Sequence, residues 1–217
     1  MTTAMDDAAM FPPDWTVVIP IRQPSTGKRR LGLGLRVNQA IAEATVNAVA
    51  QTSTVRRVIV VTDSVTWTER LLARVVLQRR EGLNGAILDG LDQTEPGNTA
   101  ILTGDLPALR TADLTEALQL ASETPRGMVT DRHGAGTVLL TALERCGHRP
   151  LFGENSAYAH SRSGYQHLPL HDGTSLRLDV DTLHDLQDAI SLGVPPTLQR
   201  AIAPIMQVGN QLERSQT

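Results

Sequence analysis

Three runs, WTVVIPI at 15–21, RRVIVVTD at 56–63 and NTAILTGD at 98–105, each hold an uninterrupted aliphatic stretch rich in β-branched residues. Continuity of this kind, rather than alternation, marks a strand covered on both faces. Between them, residues 36–52 place Val37, Ala40, Ile41, Ala44, Ala48 and Val49 on one helical stripe, and residues 111–123 do the same with Leu114, Ala117, Leu118 and Ala121 behind Thr111 as N-cap. Shorter segments read as a helical stretch over 66–74, a strand over 75–78 and a helix over 83–91. Strand and helix thus alternate through the first 123 residues, which predicts an α/β fold on a doubly wound, mostly parallel sheet. With only 3% aromatic residues, its core must be built from Val, Leu, Ile and Ala.

The rhythm then changes. GMVTDRHGAGTVLLTAL (127–143) reads as two strands around Gly134 and Gly136, NSAYAHSRSG (155–164) as a short helix, HLPL and SLRLDVD as further strands, and LHDLQDAISLG as a closing helix. The 217 residues suit one domain over 15–206, with polar, frayed ends at 1–14 and 207–217. No stretch approaches a membrane span, and the acidic start lacks a secretory signal, so the expected location is cytoplasmic. A net charge of −3 argues against a nucleic-acid coat, and the single cysteine, Cys146, can form neither an internal disulfide nor a cysteine-based zinc site.

Four stretches carry chemistry. The loop RQPSTGKRRLGLGLR (22–36) follows the first strand and is rich in Gly, Ser and cations, a composition suited to phosphates. It matches no Walker loop, and Val37 stands where a dinucleotide fingerprint needs glycine. In TGDLPAL (103–109) the Leu-Pro turn stops the strand and leaves Asp105 at its end. In LRLDVDTLHDL (176–186) a strand would point Asp179 and Asp181 to one face, about 7 Å apart. Three strand-end carboxylates are what a hard cation such as Mg²⁺ prefers, and Asp181 or Thr182 also offers an N-cap for the helix behind. Last, DRHGAGTVLL makes a flexible turn of Gly134, Gly136 and Thr137, and FGENSAYAHSRSG sets Gly153, Asn155 and Ser156 at a helix start suited to an anion, with His133 and His160 read as surface or packing residues.

Taken in order, IPIRQPSTGKRRL, TGDLPAL, DRHGAGTVLL, FGENSAYAHSRSG and LRLDVDTLHDL resemble the guanylyltransferases of deazaflavin coenzyme F-420 biosynthesis, the CofC/FbiD family, over residues 15–204. The resemblance implies a single-domain, three-layer nucleotidyltransferase fold of the molybdopterin guanylyltransferase type. It implies transfer of GMP from GTP to the phosphate of phosphoenolpyruvate or 2-phospho-L-lactate, with pyrophosphate released and the product passed to a downstream transferase. The actinobacterial character of the two glycine-rich stretches points to phosphoenolpyruvate.

By the same resemblance Asp105, Asp179 and Asp181 would hold Mg²⁺, while Thr137, Gly153 and Ser156 would hold the phospho-acid carboxylate. Lys28 and Arg30 would grip the GTP phosphates and act with Asp105 in catalysis; Arg22 stands where the family has Lys, and Asn84 falls in a segment near the nucleotide. The nucleophile would be an already ionised phosphate, which explains why no catalytic His or Cys is needed. Two other readings follow from the same residues: a nucleotide-sugar transferase using Asp-x-Asp, and a non-catalytic nucleotide-binding homologue.

Overall fold

The computed structural model describes residues 15–22, 34–144 and 146–204. Seven strands form one sheet: β1 (Trp15–Pro20), β2 (Val55–Thr62), β3 (Arg74–Leu77), β4 (Asn98–Leu102), β5 (Arg126–Thr130), β6 (Thr137–Ala142) and β7 (Gln166–His167). The helices are α1 (Gly34–Ala50), α2 (Gly82–Leu91), α3 (Thr111–Ala121), α4 (Ser156–Arg162) and α5 (Leu183–Leu192), and residues 196–204 are also helical. Strand order is β3-β2-β1-β4-β6-β5-β7. All pairs are parallel except those of β6, which runs against both β4 and β5.

Period-two geometry explains why the strand sequences are apolar throughout. Val17, Ile19, Val58, Val60, Ala100 and Leu102 face a layer made by α1 and α3, through Val46, Val49, Leu114 and Leu118. The intervening Val18, Ile59 and Val61 face Ala86 of α2, and Ile101 packs with Ile87 on the same side. Neither face of the central strands reaches water, so no position can be polar without a partner.

Gly90 lets α2 approach closely: a Cβ there would lie 2.4 Å from Val18 Cγ1 and 2.7 Å from Val61 Cγ2. Gly90→Val is therefore expected to lower stability by about 1–3 kcal/mol through overpacking. Urea unfolding monitored by circular dichroism reads this directly, and an unchanged midpoint would mean that α2 can retreat without loss.

Four local expectations are corrected. Residues 66–73 are turns and bends and Arg74 already opens β3; the segment is closed by bonds such as Leu71 N to Thr68 O at 3.0 Å, because the hydroxyls of Thr62 and Ser64 accept from the N–H groups of Ser64 and Thr66 and compete with helical bonding. Thr111 does not cap α3: Arg110 holds the N-cap position, and the first turn closes on its carbonyl through Leu114 N at 3.2 Å. HLPL contributes only His167 to the two-residue β7. SLRLDVD is not a strand: Ser175–Arg177 forms a 3-10 turn, and residues 178–181 join no ladder.

Candidate active site

β1 pairs in parallel with β2 on one side and β4 on the other, so the chain's direction of progress across the sheet reverses there, and the carboxyl ends of β1 and β4 border a crevice. Arg22 lies exposed two residues past β1. Asp105 lies three residues past β4, on a segment held by Leu106 N donating to Thr45 Oγ1 of α1 at 3.0 Å. Because β6 is antiparallel, it brings its beginning, not its end, to this edge. The Leu102–Leu139 pair and the bond from Thr103 N to Val138 O at 3.0 Å carry Thr137 to the level of Gly104, beside Asp105.

The second acidic segment reaches the same place without a ladder. Val180 N donates to Asp105 O at 3.0 Å, and the Val180 side chain is fully buried among Ala108 and residues of α1 and α5. With Val180 pointing inward, the acids on either side of it turn out. One carboxylate oxygen from each of Asp105, Asp179 and Asp181 lies within 4.8 Å of the others, forming a candidate divalent cation site. Asp179 is pushed up to about 6, first by burial and then by the charges of Asp105 and Asp181, with a smaller contribution from Asp131. Three crowded hard oxygen donors that resist simultaneous ionisation fit a divalent cation, which would remove the repulsion.

Why the 176–186 stretch is extended but not a strand follows from its ends. The Thr174 side chain accepts from Leu176 N and starts the 3-10 turn. Thr182 caps α5 in a capping box with Asp185, whose carboxylate takes the N–H groups of Asp181 at 3.0 Å and Thr182 at 2.7 Å. Asp185 also pairs with Arg132, which reaches Asp188 at 2.6 Å. Burial would raise Asp185, but the Thr182 hydroxyl, the Thr182 and Asp181 N–H groups and Arg132 outweigh it and hold its carboxyl below the usual range. Sequence reasoning missed Asp185 and Arg132 as the supports of Asp181. The T-x-x-D spacing was the available signal for Asp185, whereas nothing local announces Arg132.

The β5–β6 turn links this acidic corner to a hydroxyl pocket. Arg132 N donates to Arg177 O at 3.1 Å on one side, and Ala157 N of α4 donates to Ala135 O at 3.1 Å on the other. Inside the turn, Asp131 accepts from Ala135 N at 3.1 Å and Gly136 N at 2.8 Å. A Cβ at Gly136 would meet that carboxylate at 2.4 Å. Buried Ser156 donates to Thr137 Oγ1 at 3.2 Å, and Gly153, at φ 151°, sits in the loop leading to α4.

Asn84 acts on this loop: its Nδ2 donates to Phe152 O at 3.0 Å and its Oδ1 accepts from Phe152 N at 2.9 Å. The structure thus joins Asp105, Asp179 and Asp181 in one cluster and Thr137 with Ser156 in another, with Gly153 on the loop beside the second and Asn84 of α2 holding that loop. Lys28 and Arg30 lie outside the described residues.

His160 is buried beneath the pocket, as the packing alternative expects, and His148 is partly buried nearby. His160 contacts Thr137 and Leu151 N; His148 contacts Tyr165 and Thr99 O. Burial lowers both to about 4. An unfolded chain takes up these protons below about pH 6.5, whereas the native rings stay neutral down to about 4. Their stabilising contribution is therefore full above 6.5 and is lost as pH falls toward 4, each ring adding a slope of up to about 1.4 kcal/mol per pH unit. Urea midpoints at pH 7 and pH 5 should differ accordingly, and the difference should shrink in His148→Gln. An identical pH dependence in that variant would contradict the buried neutral state.

No family model matches the chain. It is 43% identical over 194 residues to a phosphoenolpyruvate guanylyltransferase of Salinispora arenicola, covering 84% of this chain and 90% of the relative. It is 39% identical over 214 residues to the enzyme of the same name from Streptomyces avermitilis, covering 92% and 99%. Among solved structures, a nucleotidyl transferase from Methanothermobacter superposes with a TM-score of 0.59 at 16% identity, over 82% of this chain and 97% of the other. A Mycobacterium tuberculosis protein solved with manganese gives 0.56 at 17% identity, over 83% and 100%. At these identities the structures speak for the nucleotidyltransferase fold.

Proposed function

The chain belongs to the phosphoenolpyruvate guanylyltransferase family, and we propose that it transfers GMP from GTP to the phosphate of phosphoenolpyruvate in deazaflavin coenzyme F-420 biosynthesis. It is a nucleotidyltransferase on a three-layer α/β fold. The observation that most supports the substrate reading is the convergence of the acid cluster and the Thr137–Ser156 pair on one sheet edge, through the antiparallel register of β6. A phospho-acid carries two anionic ends, and this edge offers a place for each.

In this reading the acceptor's phosphate oxygen attacks the α-phosphorus of GTP; the new P–O bond forms as the bond to the β-phosphate oxygen breaks, and pyrophosphate leaves. The phosphate is already ionised at neutral pH, so no side chain need remove a proton. Asp105, Asp179 and Asp181 would hold Mg²⁺, which when bound neutralises phosphate charge. The Thr137 hydroxyl and the Gly153 backbone hold the acceptor carboxylate and set the approach of its phosphate, while Ser156 serves that site by donating to Thr137 Oγ1. Arg22, with Lys28 and Arg30, attracts the nucleotide's phosphates. Asn84 serves the site by fixing the Phe152 backbone next to Gly153.

Among the described residues no helix is long and apolar enough to cross a membrane. In this reading the enzyme works in the cytoplasm and hands its product to the transferase that consumes it. Pyrophosphate release from GTP with Mg²⁺ should require phosphoenolpyruvate or, less efficiently, 2-phospho-L-lactate, and should stop with a chelator. Release supported equally by a sugar phosphate and a nucleotide-sugar partner would overturn the reading.

A further inference from the structure

We infer that His160 is a positioning residue for acceptor binding: held as its Nδ1–H tautomer, it donates to Thr137 and thereby turns the Thr137 hydroxyl proton toward the acceptor's carboxylate. This rests on the reading above, in which Thr137 meets that carboxylate.

The tautomer follows from hydrogen-bond bookkeeping. Leu151 N–H donates to His160 Nε2 at 2.8 Å, and a backbone N–H can only donate, so Nε2 carries the lone pair. The ring's proton must then sit on Nδ1, which lies 2.9 Å from Thr137 Oγ1, so the bond runs from the ring to the hydroxyl. Ser156 Oγ donates to the same oxygen at 3.2 Å. A threonine hydroxyl accepts at most two bonds and donates one. With both lone pairs filled, its proton points away from His160 and Ser156, and among the described residues no acceptor is found for it.

A buried donor with a fixed direction and no acceptor among the described residues suits an anion that brings its own lone pairs. The ring cannot easily abandon the arrangement. His160 is fully buried, edge-on to Phe152 at 5.0 Å and to Tyr165 at 5.4 Å between ring centres. Burial also keeps it uncharged to about pH 4, so Nε2 stays an acceptor throughout the working range.

His148 provides an internal contrast. Its Nε2 lies 3.0 Å from the Thr99 carbonyl, which can only accept, so His148 carries its proton on Nε2 and takes the Tyr165 hydroxyl on Nδ1 at 3.1 Å. Two neutral rings in one protein, one buried and one partly buried, should therefore show opposite tautomers.

The test joins spectroscopy to kinetics. Nitrogen-15 NMR of the full chain should report a protonated Nδ1 for His160 and a protonated Nε2 for His148, and an Nε2–H signal at His160 would overturn the inference. In His160→Asn the side-chain amide can replace the Nδ1 donor, so the phosphoenolpyruvate KM should stay within about threefold of wild type. In His160→Gln the amide falls at the Nε2 position and the donor to Thr137 is lost. Its phosphoenolpyruvate KM should rise about tenfold or more while the GTP KM holds. Equal rises for both substrates, or a fall in kcat alone, would mean that His160 only supports the fold.

Calorimetric titration with phosphoenolpyruvate separates the two layers of the reading. Wild type that binds it without turnover would refute guanylyl transfer, and the His160→Gln dissociation constant would then decide the positioning role by the same tenfold criterion. Wild type that fails to bind it overturns both.

Discussion

Asp105→Asn and Asp179→Asn should each lower turnover by about a thousandfold or more, while leaving a folded protein. The second variant should also be more stable than wild type in metal-free buffer at pH 8. Asp179 is raised to about 6 by burial and by its acidic neighbours, so above that pH the native state holds a carboxylate it would rather see protonated. The sign follows from the shift. A group held above its unfolded value of 3.8 destabilises the fold fully above about pH 6 and not at all well below 3.8. Asparagine keeps the shape and removes the charge. Lost activity with gained stability is the signature of a residue retained for its chemistry, and thermal unfolding beside a pyrophosphate assay measures both. A variant at pH 8 that is both inactive and less stable would show that Asp179 supports the fold instead.

Asp185→Ala is the second large effect. One carboxylate there takes the N–H groups of Asp181 and Thr182, receives the Thr182 hydroxyl at 2.9 Å, and pairs with Arg132. Alanine removes the capping box and leaves Arg132 with Asp188 alone. A cost of about 2–4 kcal/mol is expected, from the lost cap and the broken, partly buried pair. Because the Asp181 backbone is released as well, the Mg²⁺ concentration needed for half-maximal activity should rise more than the GTP KM does. Asp185→Asn should retain part of the stability, since its amide oxygen can still accept from the backbone. Retention of wild-type stability and Mg²⁺ dependence by the alanine variant would show that the α5 N-terminus is fixed by something else.

What could be read before the structure, and what could not, divides by range. The strands at 15–20, 55–62 and 98–102 were legible because burial on both faces writes itself into consecutive residues. Asp105 was legible because a Leu-Pro turn follows it at once. LRLDV carries a strand's alternation, yet Thr174 and Thr182 claim the backbone at either end for a 3-10 turn and a helix. The inference that Asp179 and Asp181 face one way survived because inward-pointing Val180 enforces it without a ladder. The pairing of Arg132 with Asp185 spans 53 residues and has no local signature. The same holds for Asn84, which lies 68 residues from the Phe152 backbone it grips. His160 looked ordinary because its role depends on which neighbour fills which nitrogen, a property of packing rather than of spacing.

The reversed direction of β6 has a consequence for how such an enzyme can change. The crevice between β1 and β4 is built from one part of the chain, while the hydroxyl pocket is built from the turn and helix that flank β6, between about residues 131 and 160. The two parts meet along the β4–β6 seam, which the Thr103–Val138 bond extends, and are tied further by Asn84 to Phe152, His148 to Thr99 and Arg132 to Asp185. Exchange of the 131–160 segment between relatives, with that seam preserved, should transplant acceptor preference onto an unchanged nucleotide half, making the fold a two-part device whose parts can be varied separately.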